Sequence, residues 1–187
     1  VLTVDNMNSK EIKVKISSTL NNAQIFLIGQ TRGQVFYNQS LNLESGSTEI
    51  KIPTDLFPTG ITQLTLFDQS SIPQCERLVF INHNDVLNIG LETEKNNYGP
   101  REKIVLKIHA ENVKNHPVDG NFSLSVTANE SNNNRGDFYS GIISYLLLSS
   151  DLKGKIQNPD YYFQKNTSET RTALDYLMMT QGWRRFS

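Results

Sequence analysis

Over the first 82 residues apolar and polar side chains alternate in short runs. Alternation with a period of two marks strands that bury one face, because successive side chains of an extended chain point to opposite sides. Glu11-Ile12-Lys13-Val14-Lys15-Ile16 shows it most cleanly, and the pattern returns over residues 2–4, 25–28, 35–43, 49–52, 61–67 and 77–81. Turn residues separate the runs at Asn21-Asn22, Thr31-Arg32-Gly33, Ser45-Gly46-Ser47, Pro58-Thr59-Gly60 and positions 70–73. Seven short strands at this spacing predict an antiparallel, immunoglobulin-like β-sandwich. No stretch in this region carries the 3.6-residue period of a helix.

At Asn82-His83-Asn84-Asp85 the apolar pattern lapses, which sets the expected domain boundary: a sandwich over residues 1–84 and a second β-domain over 85–187. Lys103-Ile104-Val105-Leu106-Lys107-Ile108 resembles the run that begins at Glu11, one immunoglobulin-sized domain later. A further strand is expected at Phe122-Ser123-Leu124-Ser125-Val126-Thr127, after a turn at Pro117-Val118-Asp119-Gly120. Then the period changes. Ile142, Ile143, Tyr145, Leu146 and Leu147 fall at helical spacing between a Ser140 cap and Gly154, and Ala173, Leu174, Leu177 and Met178 do so between Ser168 and Gly182. Residues 155–163, broken by Pro159, read as an extended segment or edge strand. The expected fold is therefore mainly β, with tandem sandwiches and two helical insertions in the second. That second domain has too few strands and reads as truncated at its C-terminal end. Trp183 and Phe186 are expected near an open sheet edge available for self-association.

Composition excludes several function classes. A net charge of −1 lacks the electropositive footprint that nucleic-acid binding needs. The longest apolar run, residues 142–148, is far shorter than the roughly 18–20 residues that cross a hydrocarbon core. The single Cys75 forms no disulfide framework, and His83, His109 and His116 match no zinc spacing, so neither metal nor cofactor is expected. Ser150-Asp151-Leu152-Lys153 fits the Ser-x-x-Lys pattern of serine acyl-transfer enzymes, but the accompanying Ser-Asp-Asn and Lys-Thr-Gly elements are missing. It reads as a solvated helix end, and no catalytic residue is assigned. Arg135-Gly136-Asp137 spells an adhesion tripeptide and reads as a coincidence within a polar loop. Tyr161, Tyr162, Phe163 and Trp183 could stack on a sugar, yet aromatics at such positions more often belong to a core. The Asn-x-Ser/Thr triplets at Asn38, Asn121, Asn129 and Asn166 are close to chance frequency.

Tyr98-Gly99-Pro100-Arg101-Glu102-Lys103-Ile104 resembles the Tyr-x-Pro-Gly-Glu-x-Val opening of macroglobulin-like domains in the alpha-macroglobulin superfamily, with Arg101 where that pattern has Gly. Three further stretches are similar to large cell-envelope proteins of Bacteroidetes-type bacteria: Ser144 through Gly154, Asn158-Pro159-Asp160-Tyr161-Tyr162-Phe163, and Leu174 through Arg185. In those proteins macroglobulin-like domains precede a carboxypeptidase-regulatory-like domain and a TonB-dependent-receptor plug domain. The first domain resembles them through Gly60 to Asp68 and Cys75-Glu76-Arg77-Leu78-Val79-Phe80. The resemblance implies a periplasmic or outer-membrane-associated protein tied to nutrient uptake. These domains would act in it as a non-catalytic scaffold or as a surface for envelope proteins or for other domains of the same chain. The alternative is a fragment of a protease-trapping alpha-macroglobulin, which usually carries a Cys-x-x-Gln thioester; Cys75 is followed by Glu76, Arg77 and Leu78 instead. A serine acyl-transfer enzyme ranks below both.

Overall fold

The computed structural model describes residues 1–19, 22–44, 46–126 and 141–181. They fall into two compact units: residues 1–83 together with the described part of 134–187, and the described part of 84–133. In the first unit lie seven strands, β1 (Leu2–Asp5), β2 (Glu11–Ser17), β3 (Ala23–Thr31), β4 (Gln34–Leu43), β5 (Ser47–Pro53), β6 (Gly60–Asp68) and β7 (Pro73–Ile81). They form two antiparallel sheets, ordered β1-β2-β5 and β4-β3-β6-β7. Ile12, Val14, Ile16 and Ile52 of one sheet share a core with Ile25, Leu27, Leu43, Leu64, Leu66, Val79 and Ile81 of the other, and Phe57 joins them. This is the sandwich that the alternation predicts.

Its register follows from the same pattern. Ile12 pairs with Ile52 and Val14 with Ile50, so a slip by one residue would turn Lys13 and Lys15 into the core. The β3–β4 turn is held by Arg32 and Gly33 at φ +50° and +79°, the positive angles at both central positions that a type I′ hairpin turn requires.

Helices cover part of the outer face of the four-stranded sheet. A short α1 (Ile142–Ser144) runs on into a π-helical turn over Tyr145–Ser149, followed by α2 (Tyr161–Gln164) and α3 (Ser168–Gln181). Leu148, Leu152, Ile156, Leu174 and Met178 are buried against Ile61, Leu78 and Phe80. This corrects the expected division of the chain: the helical segments pack with residues 1–83 and not within a second domain spanning 85–187. The physical reason lies in the sheet. β6 is buried at six of its first seven positions, so both of its faces require cover. Residues 155–163 are likewise not an edge strand, since the segment turns through a fully buried Pro159 into α2. The start of α3 is secured by Thr167, not Ser168: Thr167 Oγ1 accepts the Thr170 amide at 3.2 Å, and the Thr167 amide donates to Thr170 Oγ1 at 3.0 Å. Gly154, at φ +98°, ends the preceding segment.

The second unit contains an antiparallel pair, β8 (Asn88–Thr93) and β9 (Leu106–Glu111). The turn after β9 lies at Asn112–Asn115, where the Asn115 amide donates to the Asn112 carbonyl at 2.9 Å, and not at positions 117–120. Asn112 Oδ1 fixes that turn by accepting the amides of Lys114 and His116. Residues 122–126 are not in a strand, so the second sandwich expected over 85–187 is, among the described residues, a two-stranded sheet. On one face Ile89, Leu91 and Ile108 stand exposed. Ser140, Gly182, Trp183, Phe186, Asn129 and Arg135-Gly136-Asp137 lie outside the described residues.

Candidate functional site

Five of the stretches that carry the resemblance, far apart in the chain, meet at the seam between the helices and the sheet. Ile61 comes from the first, Leu78 and Phe80 from the second, Leu148 and Leu152 from the third, Phe163 from the fourth, and Leu174 and Met178 from the fifth. The Phe163 ring lies edge-on to Phe80 with centroids 5.6 Å apart, an arrangement favoured by aromatic quadrupoles. Beside this apolar patch, Arg77 Nη2 donates to Asp175 Oδ1 at 2.7 Å and Nη1 to the Leu78 carbonyl at 2.6 Å. The two side chains are only 11% and 13% exposed. Asp160 Oδ1 accepts the Gly141 amide at 2.9 Å and the Ser144 hydroxyl, which ties α1 to the turn before α2. Arg32 reaches from the β3–β4 turn to the Leu146 carbonyl at 2.9 Å and to Asp151 at 3.3 Å.

Tyr162 and Phe163 are thus parts of this packing, while Tyr161 stands at its margin, edge-on to Tyr162 at 5.4 Å. Burial, and to a lesser degree the neighbouring Tyr161, raises the pKa of the Tyr162 phenol. The seam holds secondary structure together; its polar groups are consumed by one another. Sequence reading missed Arg77–Asp175 and Asp160 as structural ties, because each partner lies on a different element and no local spacing announces it.

The groups weighed for chemistry have structural surroundings. His83 Nε2 is 2.8 Å from the Phe57 carbonyl, and His109 faces Gly90 across the β8–β9 ladder. The His116 amide serves the Asn112 turn. Among the described residues no three His, Cys, Asp or Glu side chains gather as a metal cage. Cys75 is half-buried, and desolvation pushes its thiol pKa up, away from the thiolate form that reacts. Ser150 Oγ donates to the Leu146 carbonyl at 3.1 Å, and Lys153 is exposed rather than desolvated as an activating lysine would be.

The Tyr98–Glu102 stretch folds into a self-contained turn. The Glu102 amide donates to the Gly99 carbonyl at 3.2 Å, with Pro100 and Arg101 at the two central positions. Arg101 has φ +63°, a left-handed angle that a type II turn gives to glycine at this place. The residue that departs from the macroglobulin-like pattern therefore sits in the conformation for which that pattern supplies Gly. Arg101→Gly is expected to leave stability unchanged or raise it by up to about 1 kcal/mol, through relief of left-handed strain. A loss of stability in urea unfolding would contradict this.

Glu102 closes the turn by accepting from Lys95 Nζ and from the Gly99 amide at 2.8 Å, and these two bonds, the Lys95 one foremost, hold its carboxyl below the usual value. A carboxylate with a lowered folded-state pKa stabilises above its unfolded-state pKa, and that contribution disappears as pH falls through the lowered value. The protection of the Gly99 amide, the slowing of its exchange relative to an unstructured chain at the same pH, is thus expected to fall over this acidic window. Glu102→Gln should make that protection independent of pH, which amide exchange corrected for the intrinsic rate at each pH can check.

No family model matches the chain, and no curated protein or solved structure does either.

Proposed function

We propose that this chain is a non-catalytic scaffold or partner-binding module of a bacterial periplasmic or outer-membrane-associated protein, working alongside TonB-dependent nutrient uptake. The observation that carries the reading is that the stretches resembling envelope proteins are the ones that build the seam, with Leu78, Phe80, Leu148, Phe163, Leu174 and the Arg77–Asp175 pair drawn from them. The turn at Arg101 supports it from the second unit. What the geometry offers to a partner is surface: Ile89, Leu91 and Ile108, neighbours on one face of the β8–β9 pair and each exposed.

Fractionation of the native bacterium with an antibody against the chain tests the reading. Recovery with the outer membrane or periplasm, together with a plug-bearing receptor, is the expected result. Recovery from the cytoplasm overturns it. So does covalent labelling of Ser150 by a serine-directed acyl probe that is lost in Lys153→Ala, which would establish the acyl-transfer alternative.

A further inference from the structure

We infer that residues 118–126 close onto the free edge of β9 as a third strand, in the register that Glu111 and Pro117 already begin. The first rung exists: Glu111 and Pro117 form an antiparallel bridge. The Val118 amide donates to the Ala110 carbonyl at 2.9 Å and the Asn112 amide to the His116 carbonyl at 3.0 Å. These two bonds flank the Glu111–Pro117 pair, which makes it a non-hydrogen-bonded pair, the position where a proline without an N–H is tolerated. The Asn112–Asn115 turn fixes the reversal that starts the hairpin.

Continuing that register sets Val118 opposite Ala110, Gly120 opposite Ile108, Phe122 opposite Leu106 and Leu124 opposite Ile104. These residues share one face with Ile89 and Leu91 of β8, which pair with Ala110 and Ile108. The other face receives Asp119 opposite His109, Asn121 opposite Lys107 and Ser123 opposite Val105. The apolar alternation of Phe122-Ser123-Leu124-Ser125-Val126 thus matches the apolar face of the hairpin without a slip, and a shift by one residue would set Phe122 and Leu124 on the polar face. The Phe122 ring lies 3.5 Å from where a Cβ on Gly120 would be, so these two residues already lie on one side of the segment, as the register requires. Val118 N–H bonding to Ala110 also means that Ala110, Ile108 and Leu106 direct their backbone groups away from β8, toward the segment. Phe122 and Leu124 are 48% and 57% exposed with the strand open, so closure brings them beside a matching apolar row. A closed strand also occupies the edge that an added strand of another chain would use.

The test is a pair of double-cysteine variants in a Cys75→Ser background, exposed to oxidised glutathione. Lys107→Cys with Asn121→Cys places two thiols at a non-hydrogen-bonded pair on the polar face, about 4.5 Å apart between Cα atoms and within disulfide reach. Lys107→Cys with Phe122→Cys puts them on opposite faces. Disulfide formation in the first variant and not in the second, read by mass and by a reductant-sensitive mobility shift, is the expected result. Equal yields in both, or none in either, overturn the register. Amide exchange of the unaltered chain gives an independent reading: the Phe122 and Leu124 amides should exchange at least about tenfold slower than an unstructured chain. Unprotected amides there overturn the closure.

Discussion

Arg77→Ala should destabilise the first unit by about 3–5 kcal/mol, the cost of leaving a buried charge without its partner. The Asp175 carboxylate on α3, only 13% exposed while the pair is intact, would lose its guanidinium partner. The same substitution frees the Leu78 carbonyl, to which Arg77 also donates. The double variant Arg77→Met with Asp175→Leu is expected to recover most of the loss, because two well-packed apolar side chains replace a pair whose desolvation offset much of its attraction. Urea unfolding of the two single variants and the double variant measures this as a cycle. A loss below about 1 kcal/mol in the single variant would place the pair with ordinary surface ion pairs and refute its structural role.

The second expectation concerns whether cap and sandwich are one cooperative body. Leu148 in the π-helical turn and Leu64 in β6 are both fully buried, one among the helices over the sheet and one between the sheets. Leu148→Ala and Leu64→Ala should each cost about 2–5 kcal/mol, the transfer of a buried leucine plus the cavity left behind. Unfolding followed by circular dichroism at helix- and sheet-sensitive wavelengths should give coincident transitions in both variants. If Leu148→Ala melted the helices first and left the sheet transition where it was, the cap would be an accessory and not part of the core.

The sandwich was readable because its strands alternate. Ile12, Val14 and Ile16 face one way and Lys13 and Lys15 the other, and only one pairing register hides the isoleucines. The helix over Ser168–Gln181 was readable from its stripe of Leu174, Leu177 and Met178. What chain order could not supply was the destination of the helices, which return to the first sheet across the whole second unit. A clue lay in Gly60 to Asp68, whose residues are buried on both faces, though its apolar and polar letters still pass for an ordinary half-buried strand. Arg77 and Asp175 were invisible as a pair because nothing local links two charges from a strand and a distant helix. At 122–126 the alternation is present while the pairing is not, so the pattern states what a segment can do and the backbone reports how far it has gone.

The excursion of the chain through residues 84–133 also alters what a single break can achieve. The first unit is made of two lengths of polypeptide clasped at the seam, and the second unit is the stretch of sequence that joins them. Cleaving one peptide bond in the excursion should therefore separate nothing: the two lengths would travel together on a native gel and part only in denaturant. A gene fragment stopped at Asn82 would do the opposite, laying Ile61, Leu78 and Phe80 bare to water as an adhesive patch, so that the shorter product would be the stickier one.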